Sequence, residues 1–287
     1  MCRSHGERAG APGVPTVKTA FETVEVPERD VRLEILVQGD EPTVVLLASA
    51  NRDASDFEQL MADLAAAGFG SLAVNLRSIG NSTGPSEGVV LRDLADDISA
   101  VIQSLGGRPA HIVGHAFGNT VARATAAYRP DVVASVTLLA CGGHDMANDP
   151  PPAEWFWHFR RSQQLDLPEE ERLESLRFAF FAPGNDARAW LGGWWPDRLG
   201  LAQILDRGDP SEWWHAGDAP VLIMQPLDDV IGPPRVGRAL AAALGERARY
   251  VELAQCGHAI LPEQPAAVAA HLVRFLRDLA DGDGALG

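Results

Sequence analysis

The sequence predicts an α/β fold: a mostly parallel sheet of about eight strands, sandwiched by helices and interrupted once by a helical cap. Three observations lead there. Short apolar runs of strand length alternate with longer amphipathic segments of helical period. The unit recurs several times, and repeated strand-helix units build a parallel sheet covered on both faces. The alternation breaks once, between about His144 and His215, where all 7 tryptophans of the chain fall within irregular helical sequence.

Residues 1–18, with Gly6, Gly10, Pro12, Gly13 and Pro15, carry little apolar content and are expected to form a flexible tail. Thr19 to Val26 and Val31 to Gln38 form a hairpin around Pro27-Glu28-Arg29-Asp30, and Thr43 to Ala48 is a buried strand. Ser55 and Glu58 match a helix capping box, followed by an apolar face of Phe57, Leu60, Met61 and Leu64. Next come strand Ser71 to Leu76, helix Val90 to Leu105, strand Ala110 to Val113, helix Phe117 to Tyr128 and strand Val132 to Leu139. A last set follows at Val221 to Met224, Pro234 to Leu244, Tyr250 to Leu253 and Pro265 to Leu279. The organisation expected is a core of residues 19–142 and 216–287 with an aromatic-rich cap at 143–215. A cap inserted at the carboxyl ends of the strands would cover the crevice where open parallel sheets bind ligands.

At 46% hydrophobic and 22% charged the chain has a globular composition. A net charge of -15 argues against nucleic acid or an anionic membrane as a partner. Lys18 is the one lysine, which we ascribe to the coding bias of a high-GC, bacterial-type genome. No apolar run is long enough to span a bilayer and no secretory apolar region follows Met1, so the expected location is cytoplasmic. Cys2, Cys141 and Cys256 are too scattered for a disulfide framework or a zinc site.

The chemistry-bearing segment begins where strand Ala110 to Val113 runs into Gly114-His115-Ala116-Phe117-Gly118 and then a helix. This strand-elbow-helix context resembles the G-x-S-x-G nucleophile elbow of the α/β-hydrolase fold family. The resemblance covers about residues 19–281, with four segments in the family's order: an oxyanion loop at Ala48 to Arg52, the elbow, an acid at Asp229 and a histidine at His258. It implies that Asp229, ahead of Asp228 and of the secondary candidate Asp145, orients His258, which then acts as a base near neutral pH. The amides of Ala50 and Phe117 would form the oxyanion donors. His115 and the cap residues Trp155, Trp157, Trp194 and Trp214 are assigned to substrate binding. His111, His144, His158 and His215 are read as packing or surface residues, and Cys141 as a nucleophile candidate without an elbow.

The sequence departs from the family at the decisive atom. Ala116 stands at the nucleophile position, and a methyl group can neither attack a carbonyl nor carry an acyl group. Leu47-Ala48-Ser49-Ala50-Asn51 replaces the usual His-Gly of the oxyanion loop, and Pro226 replaces a glycine before the acid. Three readings stand open. The first is an enzyme working through the His258/Asp229 dyad without a covalent intermediate. The second is a serine hydrolase carrying a serine-to-alanine substitution at Ala116, although such a substitution would leave the other departures unexplained. The third is a non-catalytic pseudohydrolase that binds a small ligand. The expected substrate is a small apolar or aromatic carbonyl compound, such as an ester, thioester, lactone or a molecule cleaved at a C–C bond. No metal or organic cofactor is implied, and a homodimer is left open.

Overall fold

A computed structural model describes residues 19–39, 41–142, 151–195 and 206–283. The predicted tail at 1–18, together with His144 and Asp145, lies outside the described residues. The eight strands are β1 (Thr19–Val26), β2 (Val31–Gln38), β3 (Pro42–Leu47), β4 (Gly70–Val74), β5 (Ala110–His115), β6 (Val133–Leu139), β7 (Val221–Pro226) and β8 (Ala248–Leu253). They form one sheet in the order β1-β2-β4-β3-β5-β6-β7-β8. β2 pairs antiparallel with β1 and β4, and every later pairing is parallel.

Strand residues alternate between two apolar layers, as a pleated chain must. Val45 and Leu47 of β3 face the layer built with α2 (Leu91–Ser104), α3 (Phe117–Tyr128) and α7 (Pro234–Leu244). Val44 and Leu46 face α1 (Glu58–Ala66) and α9 (Pro265–Asp283) on the opposite side. The predicted apolar positions Leu91, Leu94, Ile98 and Val101 of α2, and Val268, Leu272 and Phe275 of α9, are buried in these layers.

The start of α1 differs from the expected capping box. A short 3-10 turn, Ala54–Phe57, precedes the helix, and the cap is Asp53, whose carboxylate accepts the Ser55 amide at 3.0 Å. Asp caps as well as Ser, so a cap signal in sequence locates a helix start only to within a few residues. A further short helix, α8 (Ile260–Glu263), went unrecognised in the sequence because it is a single turn without a period of its own.

Between β6 and β7 the described residues form α4 (Ala153–Ser162), α5 (Glu169–Phe180), a 3-10 turn at Ala187–Trp190 and α6 (Pro210–Trp213). Trp155, Leu173, Leu176, Phe180, Trp190 and Trp194 form a separate apolar cluster there. Ala259, beside His258, is part of that cluster, so the insertion packs directly on the histidine loop.

One contact sets how closely α3 seats on the sheet. A Cβ added at Gly118 would lie 2.1 Å from the Leu47 carbonyl oxygen, and one at Gly114 would lie 2.3 Å from the Gly118 carbonyl oxygen. Gly118→Ala is therefore expected to destabilise the fold by about 2 kcal/mol, read as a lower urea midpoint with an unchanged m-value.

Candidate active site

β5 ends at His115 and α3 begins at Phe117, leaving Ala116 alone to turn the chain. It does so at φ 50° and ψ -105°, a left-handed conformation for which a non-glycine residue bears a cost of about 1–3 kcal/mol. The turn is held from both sides. The Ala116 amide donates to the Leu139 carbonyl at 3.1 Å, and the Asn119 amide donates to the Ala116 carbonyl at 3.0 Å. The Asn119 side chain then clasps the end of β6, donating to the Leu139 carbonyl at 3.0 Å and accepting its amide at 3.1 Å.

His258 and Asp229 meet from the loops after β8 and β7. Nδ1 of His258 donates to Oδ2 of Asp229 at 2.8 Å, and both side chains are buried. The other oxygen, Oδ1, accepts the amides of Ile231 at 2.8 Å and Gly232 at 2.9 Å. Burial by itself would raise the Asp229 carboxyl, but His258 and these two amides hold it below its ordinary value of 3.8. Nδ1 is thus the protonated nitrogen and Nε2 the one left to act as a base. Asp228, the neighbouring candidate, instead accepts the Cys256 amide at 3.2 Å. Glu263 braces the same loop by accepting the Gly257 amide at 2.8 Å, the Ala182 amide at 2.7 Å and Asn185 Nδ2 at 2.7 Å. Burial pushes its carboxyl above the ordinary range.

His115, assigned from sequence to substrate binding, lies in the interior at the end of β5. It is fully buried, and its Nε2–H donates to the main-chain carbonyl of His258 at 2.8 Å. Its ring centroid is 5.3 Å from that of His258 and 6.0 Å from that of Trp190. Burial, with the nearby His258, pulls its pKa from 6.5 down to about 3, so it is a neutral donor across the physiological range.

The loop after β3 carries Ala50, half-buried, and Asn51 at φ 60°. A turn closed by the Arg52 amide on the Ser49 carbonyl, 3.1 Å, gives the loop its shape without the family's glycine. Phe117, the other expected donor, is the first residue of α3, where main-chain amides have no partner within the helix. Sequence reading did not single out Arg52 as a functional residue. Its guanidinium is buried in the corner formed by Trp190 (4.6 Å) and Trp194 (4.7 Å), pairs with Asp56, and donates to the Gly192 carbonyl at 2.7 Å. The Trp195 amide donates to the Asn51 carbonyl at 2.9 Å and Asn51 Nδ2 to Gln163 at 2.7 Å, so the loop after β3 is tied to the helical insertion at several points. A cavity of about 540 Å³ borders this seam, lined among others by Arg52, Asp56, Trp190, Gly192 and Leu261.

The profile of the Alpha/beta hydrolase family matches residues 44–271. The chain belongs to that family. BpoC of Mycobacterium tuberculosis strain H37Rv, whose name places it among the non-heme bromoperoxidases, is 30% identical over 225 residues, covering 73% of this chain and 84% of BpoC. The crystal structure of BpoC superposes with a TM-score of 0.69 at 25% identity, over 87% of this chain and 96% of that one. The 2-(acetamidomethylene)succinate hydrolase of Mesorhizobium japonicum is 32% identical over 109 residues, covering 38% of this chain and 39% of that protein. Esterase RhEst1 from Rhodococcus sp. ECU1013 shares the fold with a TM-score of 0.70 at 22% identity, over 90% of this chain and 99% of that one.

Within this alpha/beta hydrolase the tryptophans assigned to substrate binding occupy different environments. Trp155 is buried, stacked on Phe159 at 4.8 Å, and donates Nε1–H to the Ala179 carbonyl at 3.0 Å. Trp194 is buried against Arg52. Trp214 covers the guanidinium of Arg123 at 3.9 Å, a contact beside α3. Trp157 is 54% exposed with Arg161 over its ring at 4.6 Å, and Phe156 and Phe178 are also exposed. The surplus rings of the insertion thus reach the surface. Phe180 and Trp190 are the ones that approach the histidines, with the Phe180 centroid 6.1 Å from that of His258. His111 bonds Ser135 Oγ at 2.8 Å, His158 lies 3.3 Å from Ser175 Oγ, and His215 is exposed. Burial raises the Cys141 thiol above its ordinary range, which disfavours a thiolate nucleophile there. Among the described residues no group of three or more His, Cys, Asp or Glu is arranged to hold a metal ion, and no helix is long and apolar enough to cross a membrane.

The depressed His115 pKa fixes the sign of one pH effect. Below pH 6.5 the unfolded chain takes up a proton that folded His115 refuses until about pH 3, so its contribution is complete above 6.5 and is lost as pH falls toward 3. The slope approaches about 1.4 kcal/mol per pH unit. Urea melts of wild type and His115→Gln across this window are expected to show the glutamine variant lacking that component.

Proposed function

We propose that this alpha/beta hydrolase acts on a small apolar or aromatic carbonyl substrate, with His258 as general base oriented by Asp229 and with no covalent intermediate at position 116. The observation that carries the reading is the retention of a complete, buried dyad next to a strained elbow that lacks a nucleophile. A buried carboxylate has a desolvation cost of several kcal/mol and a left-handed alanine adds more. A pocket that only holds a ligand requires neither.

In this scheme Nε2 of His258 takes a proton from a water molecule, and the water oxygen attacks the substrate carbonyl. The amides of Ala50 and Phe117 donate to the oxygen as its charge develops. When the tetrahedral adduct collapses, the bond to the leaving group breaks and His258 returns the proton to it. The same pair of groups also serves removal of a proton from an acidic carbon, with the amides then stabilising an enolate. Phe180 and Trp190 beside the histidines favour an apolar or aromatic substrate group. We place the protein in the cytoplasm, with no nucleic-acid or membrane partner and no cofactor.

The competing reading, a serine hydrolase lacking one oxygen, is favoured by the elbow backbone, which keeps a left-handed turn at residue 116. Hydrolysis of short aryl esters by the chain and by Ala116→Ser, with intact mass recorded during turnover, separates the two. The dyad reading expects steady turnover by the native chain with no adduct. It expects His258→Ala to lower kcat/KM by about a thousandfold with ligand affinity unchanged. A burst and an acyl adduct confined to Ala116→Ser, over an inactive parent, would establish the serine-hydrolase reading instead. Turnover unchanged in His258→Ala would remove His258 from the mechanism.

A further inference from the structure

The elbow holds the base as well as the position opposite it. Three consecutive residues of the histidine loop are anchored to different parts of the molecule. The Gly257 amide donates to Glu263 at 2.8 Å, and the Ala259 amide donates to the Phe180 carbonyl at 3.0 Å. The carbonyl of His258 itself accepts from His115 Nε2, at 2.8 Å, and His115 is the residue that precedes Ala116 in the elbow.

With Nε2 protonated to make that bond, Nδ1 of His115 is an unprotonated acceptor, buried and without a hydrogen-bond partner among the described residues. An unpaired buried nitrogen has a desolvation cost. Phenylalanine or leucine would fill the same space between Trp190 and His258 without incurring it. The carbonyl contact is what an apolar residue cannot supply.

We propose that His115 is a positioning residue for His258: its Nε2–H fixes the main chain of the base to the elbow and so sets where the imidazole lies relative to residue 116. The Asp229 bond fixes the ring's tautomer and tilt, and the His115 bond fixes the point from which the ring extends. The proposal rests on the reading of His258 as the base. A small displacement of a base from the reacting atoms lowers the rate of the chemical step more than it weakens substrate binding.

The test compares wild type, His115→Phe, His115→Leu and His115→Gln, the last of which keeps an N–H at similar reach. Two quantities are followed: kcat and KM on an aryl ester turned over by the wild type, and the downfield proton NMR resonance of the His258–Asp229 hydrogen bond. The expected result is a kcat about tenfold lower in the apolar variants with KM within about twofold. Their downfield resonance should shift or broaden, and His115→Gln should recover both properties. Apolar variants that match wild type in kcat and resonance would overturn the proposal, as would a glutamine variant as impaired as the phenylalanine one. Should neither apolar variant fold, a folded His115→Gln that keeps the resonance supports the proposal and one that loses it overturns it. Failure of the dyad reading is seen separately, as turnover indifferent to His258→Ala, and the resonance comparison still decides the role of His115.

Discussion

The close seating of α3 against β3 is the constraint on which the rest of the site depends. With hydrogen atoms in place of side chains at Gly114 and Gly118, the helix backbone reaches the Leu47 carbonyl, and the chain has room for a single residue to reverse from strand to helix. That residue is Ala116, and its left-handed backbone follows from the geometry on either side of it. The same contact brings the start of α3 beside the end of β3, Leu47 and Ala48.

A second layer of contacts joins the helical insertion to this frame. Arg52, packed against Trp190 and Trp194 and donating to the Gly192 carbonyl, links the loop after β3 to the insertion. Glu263 does the corresponding work on the other side, receiving amides from the histidine loop and from the segment after α5. The insertion is therefore bound to both loops that carry site residues. Movement of either loop would have to break buried polar contacts as well as apolar ones.

Electrostatically the site pairs one group that carries charge with one that does not. Asp229 is kept ionised by a histidine and two amides despite its burial, whereas His115, equally buried and without a carboxylate partner, is kept neutral. Two histidine rings with centroids 5.3 Å apart can therefore have different duties, one acting as base and the other as main-chain anchor.

The sheet and the elbow were legible from the sequence because each rests on local rules. Apolar period distinguishes strand from helix, paired glycines mark a close backbone approach, and the order of Gly114, Asp229 and His258 along the chain matched a known arrangement. The choice of Asp229 over Asp228 agrees with the bond to His258 seen in the structure. What the sequence could not determine lies in contacts between residues far apart in the chain. His115 has the same neighbours in sequence whether its ring faces a crevice or the interior, and only the arrival of the loop after β8 gives its Nε2 a carbonyl to bind. The partners of Arg52, two tryptophan rings and a carbonyl, come from residues some 140 positions later in the chain. The tryptophans of the insertion were recognisable as a group, but their separate places in the core, beside Arg52, on α3 or at the surface depend on helix packing. Period and composition record how much apolar surface a segment carries, and tertiary structure alone decides what covers it.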